Sequence, residues 1–142
     1  GKSTQAKLLY DRLQQDNIDC VLTNEPGGSE IGQDIRKILL TNRKHSLDVK
    51  TELMLILADR AEHVKKFIEP YLFNGTHVIC DRYTASSIVY QGIAGGLGYD
   101  MVEGLCRWAT EGLEPDITIF MRCSTEESVR RVNNRNQPLD AM

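Results

Sequence analysis

Two short clusters in this sequence have the residue types and spacing that phosphate chemistry needs. Gly1-Lys2-Ser3-Thr4 runs straight into a segment of helical period. It reads as the second half of the phosphate-binding loop G-x-x-x-x-G-K-[ST], where successive backbone N–H groups at a helix N-terminus cradle phosphate oxygens. In that loop Gly1, Lys2, Ser3 and Thr4 surround the phosphates. Lys2 reaches the β and γ oxygens of a triphosphate, and the Ser3 hydroxyl ligates Mg²⁺. The second cluster is Asp81-Arg82, directly after the apolar run His77-Val78-Ile79-Cys80. A carboxylate at the end of a buried strand can hold Mg²⁺ directly or through water. A guanidinium beside it can grip a phosphate through two parallel hydrogen bonds. Taken singly, each cluster also has an ordinary reading, as a polar helix start and as a surface ion pair.

These clusters need a scaffold, and the chain supplies alternating helical and strand periods. Ala6, Leu9 and Leu13 mark a helix over 3–15, and Asp19 to Thr23 is a strand closed by Glu25-Pro26-Gly27-Gly28. Ile31, Ile35, Ile38 and Leu39 follow the i, i+4, i+7, i+8 spacing of an amphipathic helix, which also carries Arg36. A long helix over about 48–66 carries Arg60, and Pro70 breaks or restarts it. The strand at 77–80 precedes a helix near Ser86, a glycine-rich turn over 92–98 and a helix through Val102, Leu105 and Ala109. Ile117 to Met121 reads as a third strand, apolar throughout as in the interior of a parallel sheet. Ser124 followed by Glu127 is a capping box for a last helix to about Asn134. The expectation is an α/β domain with a parallel sheet. Ligands gather at the carboxyl ends of such strands, so the loops after Thr23, Cys80 and Met121 should face one site.

Composition narrows the class. The 142 residues are 41% hydrophobic and 26% charged, with a net charge of −3, as in an ordinary globular domain. An acidic balance argues against tracking a nucleic-acid backbone, which calls for a basic face. No apolar run is long enough to span a bilayer, and the N-terminus has no signal-peptide pattern. Cys20, Cys80, Cys106 and Cys123 form no CxxC pair and read as reduced, buried thiols of a cytoplasmic protein. His45, His63 and His77 lack metal-ligand spacing.

The motifs in combination resemble the thymidylate kinase family, of the bacterial type. Thr23-Asn24-Glu25-Pro26-Gly27-Gly28, then Ile31-Gly32 and Arg36, resembles the family's T-R-E-P-G-G loop. Ala58-Asp59-Arg60-Ala61-Glu62-His63 is similar to its nucleotide-facing helix. Asp81-Arg82-Tyr83, Ser86-Ser87 and Tyr90-Gln91-Gly92 match its D-R-Y…S-S…Y-Q-G block, and Pro115-Asp116 ahead of the last strand also fits. The match runs in order along essentially the entire chain.

That resemblance implies a P-loop three-layer α/β/α fold with a central parallel sheet, and ATP-dependent phosphorylation of dTMP to dTDP. It implies ATP as co-substrate, Mg²⁺ held by Ser3 and Asp81, and a homodimer. Arg36 and Arg82 would hold the 5′-phosphate of dTMP, and Arg60 would reach the thymine. Ser86 and Gln91 would line the base edge, and Tyr90 would pack under the sugar. Arg131 and Arg135 would open a lid that closes over ATP. Three positions depart from the family pattern: Asn24 where the loop commonly has arginine, Ala141 where a basic lid residue is expected, and Ile56 where a phenylalanine usually stacks on thymine. Ile56 lies one turn before Arg60 and has two readings: core, like Leu53 and Leu57 beside it, or an aliphatic cover for the base from the same helix face as Arg60. The alternative is another nucleoside monophosphate or deoxynucleoside kinase, with a non-kinase NTPase more distant; the DxxG and NKxD strings of a GTPase are absent. The chain opens on Gly1 without methionine and stops at Met142. Both ends read as truncations of one P-loop kinase domain over 1–142, with the loop's second half at 1–4 and the lid starting near 131–142.

Overall fold

A computed structural model of the chain describes residues 1–41 and 45–134. Helix α1 (Lys2–Gln15) leads into strand β1 (Cys20–Asn24), and helices α2 (Glu30–Leu40), α3 (Val49–His63) and α4 (Glu69–Phe73) follow. Strand β2 (His77–Asp81) comes next, then α5 (Thr84–Ser87), α6 (Tyr99–Ala109) and α7 (Thr125–Asn133). β1 and β2 pair in parallel, with Cys20 opposite His77 and Asn24 opposite Asp81. The two strands therefore end side by side, and Glu25 N–H continues the ladder to Asp81 O at 3.1 Å.

Local chemistry explains most boundaries. Ser29 caps α2 by accepting from Gly32 N–H, and Asp48 caps α3 by accepting from Lys50 N–H. Ser124 Oγ accepts from Glu127 N–H, as the capping box requires. Pro70 does not end the long helical segment. A π-helical turn, Val64–Ile68, follows α3, and α4 restarts with Pro70 in its first turn. The backbone stays helical through the junction, with Glu69 N–H reaching back to Val64 O, so Pro70 is preceded by a wider π-helical turn and not by a break in the helix.

Two apolar clusters fix the helices around the site. Leu53 and Leu57 of α3 pack with Val102, Cys106 and Ala109 of α6. Ile56 packs with Ile35 and Leu39 of α2. Each fully buried aliphatic side chain contributes about 1.5–3 kcal/mol of burial free energy. α3 is thus gripped on two sides, which matters because it supplies much of the polar network below.

Two expectations change. Ile117 to Met121 forms no strand: Ile117 and Phe120 are 80% and 77% exposed. A strand exists only when its backbone groups are paired, and among the described residues the sheet has two strands, neither beside this run. The cysteines are all free thiols, but only Cys20 and Cys106 are buried; Cys80 is half-buried and Cys123 exposed. No helix among the described residues is long and apolar enough to cross a membrane.

Candidate active site

The in-register strand ends bring the two phosphate clusters together. Ser3, in the first turn of α1, donates from Oγ to Asp81 Oδ2 at 2.5 Å, across 78 positions of sequence. The pair presents hard oxygen atoms from a hydroxyl and a carboxylate, a donor set that fits Mg²⁺, which keeps several waters and takes few protein ligands. Lys2 and Thr4 are exposed beside it. Arg131, on α7, brings Nη1 to within 3.3 Å of where a Cβ on Gly1 would stand, so its guanidinium lies over the start of α1. Its Nε is held by Glu127 Oε1 at 2.6 Å. Arg135 lies outside the described residues.

Arg82 follows β2 with φ of +76°, in the left-handed region that non-glycine residues rarely occupy. The Cys80 thiol donates to Arg82 O at 3.0 Å and helps hold that turn. Burial pushes the Cys80 pKa well up, so the group stays a thiol and keeps its donor. The Arg82 guanidinium sits 5.5 Å from the centre of the Tyr90 ring. Such backbone strain is tolerated where the surroundings fix it, often at functional sites. Tyr90 and Gln91 lie in a π-helical turn, Ile88–Ala94, after α5, and such turns are frequent at functional sites. Ser86 is half-buried in α5, and Tyr90 is exposed. Gln91 is buried, and its Nε2 donates to Glu52 Oε1 of α3.

The loop after β1 is held from both neighbouring helices. Arg36 Nη1 donates to Pro26 O at 2.7 Å, and its side chain crosses Gly27 so closely that a Cβ there would stand 2.8 Å from Arg36 Cδ. Gly27 also has φ of +110°, which suits glycine alone. From α3, Arg60 Nε donates to Glu25 Oε2 at 2.7 Å and His63 Nδ1 meets Glu25 Oε1 at 3.0 Å. His63 Nε2 pairs with Thr23 Oγ1 at 2.7 Å, and a Cβ on Gly28 would collide with the imidazole ring. Burial acts against the Arg60 charge, but Glu25 and the Cys106 and Tyr83 groups outweigh it and hold its pKa up.

Two sequence expectations meet a different environment here. Arg60 is 1% exposed and anchored on Glu25, with Nη1 on Cys106 Sγ, rather than facing an open cleft. Ile56 is 5% exposed in the α2–α3 core, so its side chain packs helices instead of lining a cleft. Glu25, His63 and Cys80 are, among the described residues, the one group spaced closely enough for a metal ion. Their atoms are already committed to Arg60, Thr23, Arg82 and one another. Sequence reasoning assigned no role to Glu25, Asp59 or His63. The available signal was the polar spacing i, i+1, i+4 of Asp59, Arg60 and His63 on a helix that also has to be buried.

A sequence model of the family described as "Thymidylate kinase" matches residues 1–142. The chain belongs to the thymidylate kinase family. The thymidylate kinase of an Exiguobacterium species is 42% identical over 139 residues, covering 96% of this chain and 65% of the relative. That of Halothermothrix orenii is 43% identical over 131 residues, covering 92% and 63%. The chain thus spans just under two thirds of the length of these curated thymidylate kinases. The crystal structure of thymidylate kinase from Ehrlichia chaffeensis superposes with a TM-score of 0.79 at 34% identity, over 93% of this chain and 75% of that one. The expected α/β class is therefore the fold of the thymidylate kinases.

Proposed function

We propose that the protein transfers the γ-phosphoryl group of ATP to dTMP, giving dTDP. One observation carries the reading: the Ser3–Asp81 pair lies at the same strand ends from which the Arg36-bound loop and Arg82 emerge. A donor-phosphate site and an acceptor-phosphate site are thereby adjacent, as in-line transfer requires. Membership of the thymidylate kinase family supplies the choice of acceptor.

Little covalent help is needed in such a transfer; positioning and charge neutralisation dominate. Gly1, Lys2, Ser3 and Thr4 bind the ATP phosphates, with the Lys2 ammonium on the β and γ oxygens. Ser3 and Asp81 would hold Mg²⁺, which would offset phosphate charge there. Arg36 and Arg82 grip the 5′-phosphate of dTMP, so two anions that repel each other are held in line. Arg82 stacks on Tyr90, which packs under the sugar, while Ser86 and Gln91 line the base edge and Arg60, sealed on Glu25, braces the loop beside it. Arg131 and Arg135 bring positive charge over the donor phosphates from the lid. A homodimer in the cytoplasm completes the reading.

The test is a panel of the common nucleoside monophosphates with ATP and Mg²⁺, using the full-length protein. The highest kcat/KM should be for dTMP. A higher value for another monophosphate would reassign the acceptor, and ATP turnover without any acceptor would remove the kinase reading.

A further inference from the structure

Asp59 is sealed from solvent, yet the resemblance and the proposed chemistry give it no task. Its Oδ1 accepts from Gly27 N–H at 2.9 Å. The same oxygen fills the space over Gly32, in the first turn of α2, where a Cβ would collide with it. Its Oδ2 is buried without a hydrogen-bond partner among the described residues. A buried polar atom left unpaired is costly, so its retention calls for an explanation. Gly27 is also the residue that Arg36 crosses, and Arg36 holds the carbonyl just before it. One backbone unit is therefore held by α3 through its N–H and covered by α2 through Arg36.

We propose that Asp59 is a positioning residue that sets the Arg36 guanidinium for the acceptor phosphate by fixing the Gly27 backbone. The inference rests on the kinase reading above. The carboxylate touches no substrate. It holds Gly27 N–H so that Pro26 O points at Arg36 Nη1, and it wedges against Gly32 so that α2 keeps its angle. With the loop released, Arg36 has no fixed carbonyl to brace against. A long cationic side chain then loses the single geometry that bidentate phosphate recognition needs.

The experiment is steady-state kinetics on the full-length protein with three variants, Asp59→Leu, Asp59→Asn and Arg36→Ala, plus Asp59→Leu combined with Arg36→Ala. Asp59→Leu keeps the branched heavy-atom shape, though it is bulkier, and loses the acceptor; it should raise KM for dTMP about tenfold or more, the order set by one lost buried hydrogen bond. KM for ATP should stay within about twofold. Asp59→Asn retains an acceptor oxygen and should keep KM for dTMP near the parent value. In the Arg36→Ala background the Asp59→Leu penalty should largely vanish, because the two act through one contact. An Asp59→Leu enzyme with unchanged KM for dTMP, or a penalty that simply adds to that of Arg36→Ala, would overturn the inference. A folded Asp59→Asn enzyme as impaired as Arg36→Ala would overturn it too, even if Asp59→Leu fails to fold. A parent without dTMP kinase activity would take down the functional reading and this inference with it; an active parent with an indifferent Asp59 removes only the inference.

Discussion

Arg60 and Glu25 form an ion pair of 2.7 Å whose side chains are 1% and 2% exposed, joining the middle of α3 to the loop after β1. Both charges have lost their water, and each depends on the other for compensation. Breaking such a pair from one side costs about 3–5 kcal/mol, because the remaining charge stays buried without its guanidinium and keeps only the His63 imidazole beside it. Arg60→Ala should therefore lower Tm by roughly 10 °C or more. The exposed pair between Lys65 and Glu69 offers the contrast: Lys65→Ala should leave Tm unchanged, since solvent already screens it. Thermal melts of both variants followed by circular dichroism make the comparison, and equal losses would contradict the assigned burial.

Lys2 is exposed and has no hydrogen bond or ion pair among the described residues, so its removal should cost activity and not stability. Lys2→Ala is expected to lower kcat by about 3–4 kcal/mol of transition-state stabilisation, a factor of several hundred, with Tm unchanged. Single-turnover rates with ATP and dTMP report this directly. Near-normal turnover would take the loop at 1–4 out of the mechanism.

Asp59 also predicts a pH dependence. Burial raises its pKa; the Gly27 N–H opposes that shift and nearby Glu25 adds to it, while His63 and Arg60 oppose it. The folded state thus binds this proton more tightly than the unfolded chain does. That contribution is fully present below the ordinary aspartate value of 3.8 and is lost as pH rises through the raised folded value. Asp59→Asn removes the titration. The variant should be more stable than the parent near about pH 8, with the advantage shrinking toward about pH 4. Melts of both proteins across that range give the answer, and a gap independent of pH would mean that Asp59 titrates normally.

Ile56 separates packing from base recognition. Its side chain fills the α2–α3 cluster with Ile35 and Leu39, so Ile56→Ala should leave a cavity and cost about 2–4 kcal/mol of stability. Denaturant unfolding measures that loss. A variant of unchanged stability but with weaker dTMP binding would return Ile56 to the substrate.

The sequence by itself determined the local elements and the phosphate clusters, because both rest on short-range rules. Helical spacing of Ile35 and Leu39, the Ser124 capping box and the polar residues after two apolar runs are all readable within a few positions. The family motifs carried the class of fold for the same reason: they are strings of neighbours. What tertiary structure decided was burial and pairing between distant segments. Ile117 to Met121 has every local mark of an interior strand, yet a strand is a relation between chains of backbone, and no described neighbour pairs with it. Arg60 and Ile56 share a helix face, but only the packing of α3 against α2 and the β1 loop shows that one is sealed on Glu25 and the other lies in the core. Asp59 was invisible as anything but a charge on a helix. Its meaning comes from a single N–H of Gly27, 32 positions away, which the parallel register of β1 and β2 and the docking of α3 bring to 2.9 Å.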